Sequence, residues 1–268
     1  MGGRSLKNLT IRELTTTAEL EEVFELEAFI WNRDDAVPPN QTITSVKNGG
    51  FVLGMFAEHR LIGFQYSFPG FNGTDVYLCS HTLVVHPDYQ KQGLGEQLKQ
   101  AQRKLAEAKG YETIQWTYDP LESVNAKLNL HKLDATSNVY IENAYGELHD
   151  DINAGMPTDR LVVSWSSRPV PRQQVSVEGA EAVYPVEERN SIPVPGTIRH
   201  AEAAVLLVPV PASIQQIKHV SQEAALTWRL VQRSVLPPLF AKGYSIVDYL
   251  PYGSHYAYVL TKERPDAD

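Results

Sequence analysis

One stretch constrains this chain more than any other: Ser80 to Glu96, SHTLVVHPDYQKQGLGE. An apolar run closes at Pro87, a polar loop follows, and Gly93 and Gly95 stand two apart at the mouth of a helix. Such a loop turns several backbone N–H groups outward at a helix N-terminus, where the macrodipole favours negative charge. Glycine lets a phosphate approach the backbone, and Lys91 adds a mobile positive charge. The spacing is not that of a P-loop, because no Lys-Ser/Thr pair follows a four-residue gap. It is not G-x-G-x-x-G either, since the third residue after Gly95 is Leu98. A pyrophosphate cradle of another kind remains, with a purely structural tight turn as its alternative.

The surrounding pattern alternates between helix and strand. Leu9–Leu14 reads as a strand, and Thr17–Ile30 has helical spacing through Leu20, Val23, Phe24, Glu27 and Ala28. Pro38 and Pro39 open a second helix, where a missing N–H is tolerated. Phe51–Ala57 and Leu61–Phe68 form a hairpin around Glu58–Arg60, and Val76–Val85 is a third apolar run. Leu94, Leu98, Ala101, Leu105 and Ala108 mark a helix over Gly93–Lys109, closed by Gly110. Thr113–Tyr118 is a strand, Ser123–Leu133 a short helix, and Val139–Tyr145 and Leu161–Trp165 two more strands.

The clearest change of composition lies between Ser166 and Ala201, where Pro169, Pro171, Pro185, Pro193 and Pro195 punctuate a polar stretch. It reads as a linker with at most one short strand, Gln174–Val177. That divides the chain into a larger α/β domain over residues 1–167, a linker over 168–200 and a smaller α+β domain over 201–268. In the last, Ala204–Val210 is a strand and Ser213–Lys242 is mostly helical with a break at Pro237–Pro238. Tyr244–Leu250 and Tyr256–Thr261 then pair as a hairpin. The helix with Ala225, Trp228, Leu230 and Val231 has three open roles: packing on its neighbours, lining an acceptor pocket, or forming the interface of a homodimer.

Composition narrows the partners. A formal net charge of −8 would repel a polyphosphate backbone, so nucleic acid is not expected. No apolar run reaches the roughly 18–20 residues of a membrane-spanning helix, and no membrane partner is expected. The start, MGGRSLKNLT, lacks the apolar run of a signal peptide, and Leu6 breaks the myristoylation pattern. One cysteine, Cys79, rules out an internal disulfide and a cysteine zinc cage, which points to a cytoplasmic protein. His59, His86, His131 and His149 show no metal-ligand spacing, and the run His149–Asp151 cannot face one ion on a regular element. No metal is expected.

Leu83-x-Val85-x-Pro87 followed by Gln90-x-x-Gly93-x-Gly95 resembles the CoA-binding motif of the GNAT superfamily of N-acetyltransferases, Arg/Gln-x-x-Gly-x-Gly/Ala after a strand. The resemblance covers roughly Leu9 to Trp165. Asn125, opening NAKLNLHKL, is similar to the Asn-rooted helix that touches CoA in that superfamily. The phrases LKQAQRKLA, QWTYDPLESVNAKLNLHKL, YGELHDDINAGMPTDRLVVSW and KGYSIVDYL resemble a branch associated with N-acylation, notably N-succinylation, of amino acids. The resemblance implies a mixed α/β fold with a mostly antiparallel sheet flanked by helices. It implies an enzyme that moves an acetyl or succinyl group from acetyl-CoA or succinyl-CoA to a small-molecule amine by direct attack. A non-catalytic acyl-CoA-binding module is the alternative.

By that resemblance, the N–H groups of Gln90, Lys91, Gln92, Gly93, Leu94, Gly95 and Glu96 hold the CoA pyrophosphate. Leu83, Val84 and Val85 pair with the pantetheine arm, the Val85 N–H meets the thioester oxygen, and Asn125 bonds the cofactor near its thiol end. An ammonium acceptor must lose a proton before attack, so a base with pKa near 7 is useful. His81 is the candidate, because on a regular strand residues 81, 83 and 85 share a face; a buried histidine bonded to a carbonyl is its structural alternative. Leu130 stands where many relatives have the tyrosine acid, which leaves Tyr118, Tyr140 and Tyr145 as substitutes or as core aromatics. Tyr66, Phe68 and Phe71, near a Pro69–Gly70 turn, either wall an acceptor pocket or fill the core. Arg160 either holds a carboxylate or pairs with an acid. The loop Trp31–Asp34 stands as a gate without a motif to support it. Cys79 lacks the setting of a nucleophile.

Overall fold

A computed structural model of the chain describes residues 8–146, 155–172, 175–199 and 202–262. The run His149–Asp151 and the strand start at Gln174 lie outside them. Contacts divide the chain into two compact units, one holding residues 1–116 with 166–170 and the other residues 117–165 with 171–268. Each is a mostly antiparallel sheet with helices packed on it, and no helix of the described residues is long and apolar enough to cross a membrane.

The first unit runs β1 (Leu9–Leu14), α1 (Thr17–Ile30), α2 (Pro39–Lys47), β2 (Phe51–Ala57), β3 (Arg60–Phe71), β4 (Val76–Val85), α3 (Leu94–Ala108) and the start of β5 (Thr113–Tyr118). Its strands lie in sequence order. α1 begins with a capping box: the Thr16 hydroxyl accepts the Glu19 N–H at 3.3 Å while the Glu19 carboxylate accepts the Thr16 N–H at 3.0 Å. Leu20, Val23 and Leu26 of α1 bury themselves against Val52, Phe64, Tyr66 and Val84 of the sheet. Strand alternation puts Gln65, Ser67 and Ser80 on the opposite face, where α3 packs. β3 does not turn at Pro69–Gly70. It continues to Phe71, and a Cβ on Gly70 would stand 2.4 Å from the Tyr77 ring, so glycine lets the two strands close up.

The second unit holds α4 (Ser123–Ala126), β6 (Thr136–Ile141), β7 (Arg160–Ser166), β8 (Glu181–Ala182), β9 (Val186–Arg189), β10 (Ile192–Pro195), β11 (Val205–Val210), α5 (Ile214–Val220), α6 (Gln222–Ala241), β12 (Ser245–Tyr252) and β13 (His255–Thr261). Its sheet order is β7-β6-β12-β13-β11-β8, with β9 and β10 as a separate pair. The helix expected over Ser123–Leu133 is one α turn continued as a π turn over Lys127–Lys132. β6 stops at Ile141, so Tyr145 is not a strand residue. The proline-rich stretch differs most from expectation. Residues 175–177 form no strand, but β8, β9 and β10 follow, and Val183, Tyr184 and Val194 are buried. The Trp228 indole donates to the Pro193 carbonyl at 2.9 Å, tying that stretch to α6.

Helix α6 also departs from the sequence pattern. It runs through Pro237 and Pro238, and the break falls at Ser221, whose hydroxyl accepts the Ala224 N–H at 3.1 Å. Pro237 and Pro238 each leave an i−4 carbonyl without its helical N–H partner, and buried Val235, Leu236 and Leu239 hold the helix through them.

Candidate functional site

The loop after β4 is built from four local decisions. His86 leaves the strand with its N–H on the Ile62 carbonyl at 2.8 Å, and its ring Nδ1 accepts the Asp88 N–H at 3.2 Å. A 3-10 turn over Pro87–Tyr89 follows, with Tyr89 buried. The Gln90 side-chain amide reaches back to the Val85 carbonyl at 3.1 Å, which fixes the loop over the strand end. Lys91 and Gly93 then take left-handed conformations, φ 61° and 77°, and Gly93 becomes the N-cap of α3. With no side chain to bond the helix end, the first-turn N–H groups of Leu94, Gly95 and Glu96 remain outside the helix ladder. A Cβ placed on Gly93 would meet nothing within 4 Å, so the residue is required by its backbone angle and the space above it is open.

Beside this helix end lies an open strand edge. β4 and β5 pair in parallel only at Leu78↔Ile114 and Cys79↔Gln115. Since the His86 N–H points to β3, alternation points the backbone groups of Val84 to β3 as well and those of Leu83 and Val85 to the other edge. Leu83 and Val85 therefore face the side where pairing with β5 has stopped, while Val84 contributes a buried side chain, 3% exposed. The Val85 N–H is a directional donor at the strand terminus, close in sequence to the helix end. An open groove of about 520 Å³ continues along α3, lined by Gly93, Gln97, Gln100 and Lys104.

His81 is not on a regular strand. The register passes from Tyr66↔Thr82 to Ser67↔Ser80, so His81 is the extra residue of a β-bulge. The face shared with Leu83 and Val85 is therefore lost. The ring lies instead with Tyr66 and Phe68, at centroid distances of 5.6 and 5.5 Å, on the α1 face. The His81 side chain is exposed on β4, and partial desolvation holds its imidazole pKa below the ordinary 6.5, which keeps it neutral at neutral pH. Tyr66 is buried, its hydroxyl donating to Ser45 at 2.7 Å, whereas Phe71 is exposed.

The bulge rests on a polar network that the sequence reading missed. Lys99 of α3 is buried and donates to Ser80 at 2.9 Å and to the Gln102 side-chain oxygen at 3.1 Å. Gln102 in turn reaches Ser67 at 2.7 Å, and the Lys99 ammonium lies 3.4 Å from the Trp116 ring centre. Burial pushes the Lys99 pKa well below 10.5. The apolar spacing of α3 through Leu94, Leu98, Ala101 and Leu105 leaves Lys99 well off that face, so the sequence carried no signal for it. Cys79 fits an inert thiol, with burial raising its pKa.

In the second unit, Asn125 is exposed on α4 and Leu130 is fully buried. Tyr118 is buried with its hydroxyl on Tyr258 at 3.2 Å, and Tyr140 donates to Asp159 at 2.6 Å, so burial raises both pKa values. Tyr145 is exposed, bonded to Thr117 at 2.9 Å, and is no core aromatic. Arg160 donates to the Asp159 carbonyl at 3.0 Å and lies 3.7 Å from the Asp119 carboxylate, the pairing expected of a structural arginine.

Residues 11–133 match the family model described as the Acetyltransferase (GNAT) family. The match covers a little under half of the chain. Among solved structures, a putative acetyltransferase of Salmonella typhimurium, determined with its cofactor acetyl-CoA, is 17% identical at a TM-score of 0.50. That match covers 63% of this chain and 100% of the other. The ribosomal-protein-S18-alanine N-acetyltransferase of Escherichia coli is 15% identical at a TM-score of 0.49, covering 63% and 99%. At these identities the likeness is one of fold. No curated protein matches the chain in sequence. The matched stretch contains the β4 edge, the bulge at His81 and the loop that opens α3.

Proposed function

We propose that this protein transfers an acyl group from acyl-CoA to the amine of a small molecule, within a ternary complex. The observation that carries the reading is the pairing of the open Leu83–Val85 edge with an uncapped helix end at Gly93. Residues 90–96 would hold the pyrophosphate, Leu83 and Val85 the amide groups of the pantetheine arm, and Asn125 the thiol end. Bound acyl-CoA supplies the activated thioester. The Val85 N–H is the donor for the thioester oxygen, and such a donor is worth on the order of 10²–10³ in rate where it can be deleted. Neutral His81 accepts a proton from the incoming amine.

With Leu130 at the usual acid position, the CoA thiolate leaves unassisted by a tyrosine there, which its pKa of roughly 8.5 permits. The acyl group is acetyl or succinyl and the acceptor an amino acid or related amine; the protein acts in the cytoplasm, as a monomer or a homodimer. Calorimetry with acetyl-CoA, succinyl-CoA and free CoA tests the site. Micromolar binding, about −8 kcal/mol, is the expected result, and a folded sample that binds none of them ends the proposal. The buried Leu130 favours one second reading, a binding module without turnover; steady thiol release with an amine acceptor excludes it.

A further inference from the structure

Ser80 and Thr82 of β4 point to opposite faces of the sheet. Ser80 turns to α3, where its hydroxyl accepts from Lys99 at 2.9 Å. Thr82 turns to α1, where its hydroxyl meets Glu27 Oε1 at 3.4 Å, and Val84 beyond it packs with Leu20, Val23 and Leu26. On a regular strand residues 80 and 82 share a face. The extra residue between them, His81, is what parts them.

Before the bulge, Leu78 and Cys79 are paired with Ile114 and Gln115 of β5; after it, the His86 N–H is held by the Ile62 carbonyl at 2.8 Å. Between these fixed points the ladder has room for its extra residue at Ser80, His81, Thr82 or Leu83, and each choice sends a different set of side chains to α1 and α3. His81 is the choice that sends Ser80 to Lys99 and Thr82 to Glu27 together. Lys99 also sits where β4 and β5 part. Its ammonium lies 3.4 Å from the ring centre of Trp116, the β5 residue after the last pair. It donates to Gln102 as well, and Gln102 holds Ser67, the partner of Ser80 across the ladder. One buried group thus ties β3, β4 and β5 to α3 at the residue before the bulge. A lysine is a costly filling for that space; what a fully bonded polar network adds is a unique geometry.

We infer that Lys99 is a positioning residue for the acyl transfer: through Ser80 it selects His81 as the bulged residue and so holds the imidazole against Tyr66 and Phe68. The inference rests on the reading of His81 as the proton acceptor, and Lys99 itself touches neither substrate nor cofactor. Without the Lys99 bond the extra residue is free to move along β4, because both ends of the window stay paired. The imidazole then loses its fixed place beside the open edge at Leu83 and Val85, while the loop that opens α3 is unchanged.

The test reads the His81 ring directly, by NMR of the full chain labelled at the histidine Cε1, with His81→Gln assigning the resonance. In the wild type the Tyr66 and Phe68 rings, at 5.6 and 5.5 Å, displace that resonance from the free-histidine value. Lys99→Met and Ser80→Ala should each return it toward that value or split it, and the double variant should do no more than either alone. In each, kcat should fall about tenfold or more while acetyl-CoA affinity stays near that of the wild type. Leu98→Ala, which weakens the same helix against the sheet without touching the network, should leave the resonance in place. An unmoved resonance in folded Lys99→Met and Ser80→Ala overturns the inference, and so does an equal movement in Leu98→Ala or a moved resonance with unchanged kcat. Should Lys99→Met fail to fold, Ser80→Ala decides. A wild type that releases no thiol with any amine would instead strike the acyl-transfer reading, and the resonance would still judge what holds the bulge.

Discussion

Gly93 holds a backbone angle, φ 77°, that residues with a Cβ adopt only at a cost. Because a Cβ there would meet nothing within 4 Å, Gly93→Ala should lose about 1 kcal/mol of stability through strain rather than collision. If the loop cradles a pyrophosphate, acetyl-CoA affinity should fall by more than stability does; calorimetry beside a denaturant titration compares the two. His81 makes a second prediction. Its pKa lies below 6.5, so kcat/KM should rise with pH on the acid side of that value and level off above it. His81→Gln should remove the acid limb, and a profile from about pH 5 to 8 reads it. Glu27 has the opposite shift. Its folded pKa is raised above 4.5, so the folded state binds protons more readily than the unfolded one and ionisation costs stability as pH climbs past that value. Glu27→Gln should therefore melt higher than wild type at neutral pH, the gap closing in acid.

At the scale of elements, β4 and α3 are coupled through Lys99. Its depressed pKa means the unfolded chain holds the proton at pH values where the folded chain has lost it. Stability carried by this group thus rises with pH toward 10.5, the ordinary lysine value. Lys99→Met keeps the volume but removes the donor to Ser80, so it should abolish that rise; urea titrations of both proteins across the range show it. The same substitution leaves the Gln102 oxygen unsatisfied and Ser80 with only the Gln65 amide at 3.3 Å, which loosens the bulge. The sequence revealed the strand and the helix but not the bulge, because an extra residue in β4 is defined by its partner strand. Period two along β4 alone would have kept His81 with Leu83, and only pairing with Tyr66 and Ser67 moves it.

At the scale of the whole chain, the second unit depends on charges gathered from distant segments. Asp159 is fully buried, accepts from both Arg233 nitrogens (2.9 and 2.5 Å) and from Tyr140 (2.6 Å), and these bonds outweigh the desolvation that would raise its pKa. Asp159→Asn leaves Arg233 only the Glu142 carboxylate at 3.5 Å, and a loss of about 3 kcal/mol is expected in a denaturant titration. Since the folded pKa is lowered, the wild-type contribution is present above 3.8, the ordinary aspartate value, and is lost as pH falls below it.

The sequence by itself determined most elements of the first unit, the hairpin and main helix of the second, and the loop from Gln90 to Glu96, because periodicity, proline stops and glycines act within a few residues. The GNAT resemblance of residues 9–165 was legible for the same reason, and the family match over 11–133 falls inside it. Only the tertiary structure decided which groups meet across strands and helices. Glu27 read as one more position on an apolar helix face until Thr82 and Val37 closed on it. Nothing in the sequence marked Lys99 as the residue that Ser80 and Trp116 surround. The prolines around Tyr184 read as a linker, although a proline-rich segment can pack as tightly as any other once an aromatic such as Trp228 donates to its carbonyls. Charge, burial and partner identity are properties of contacts between distant residues, and a linear pattern does not contain them.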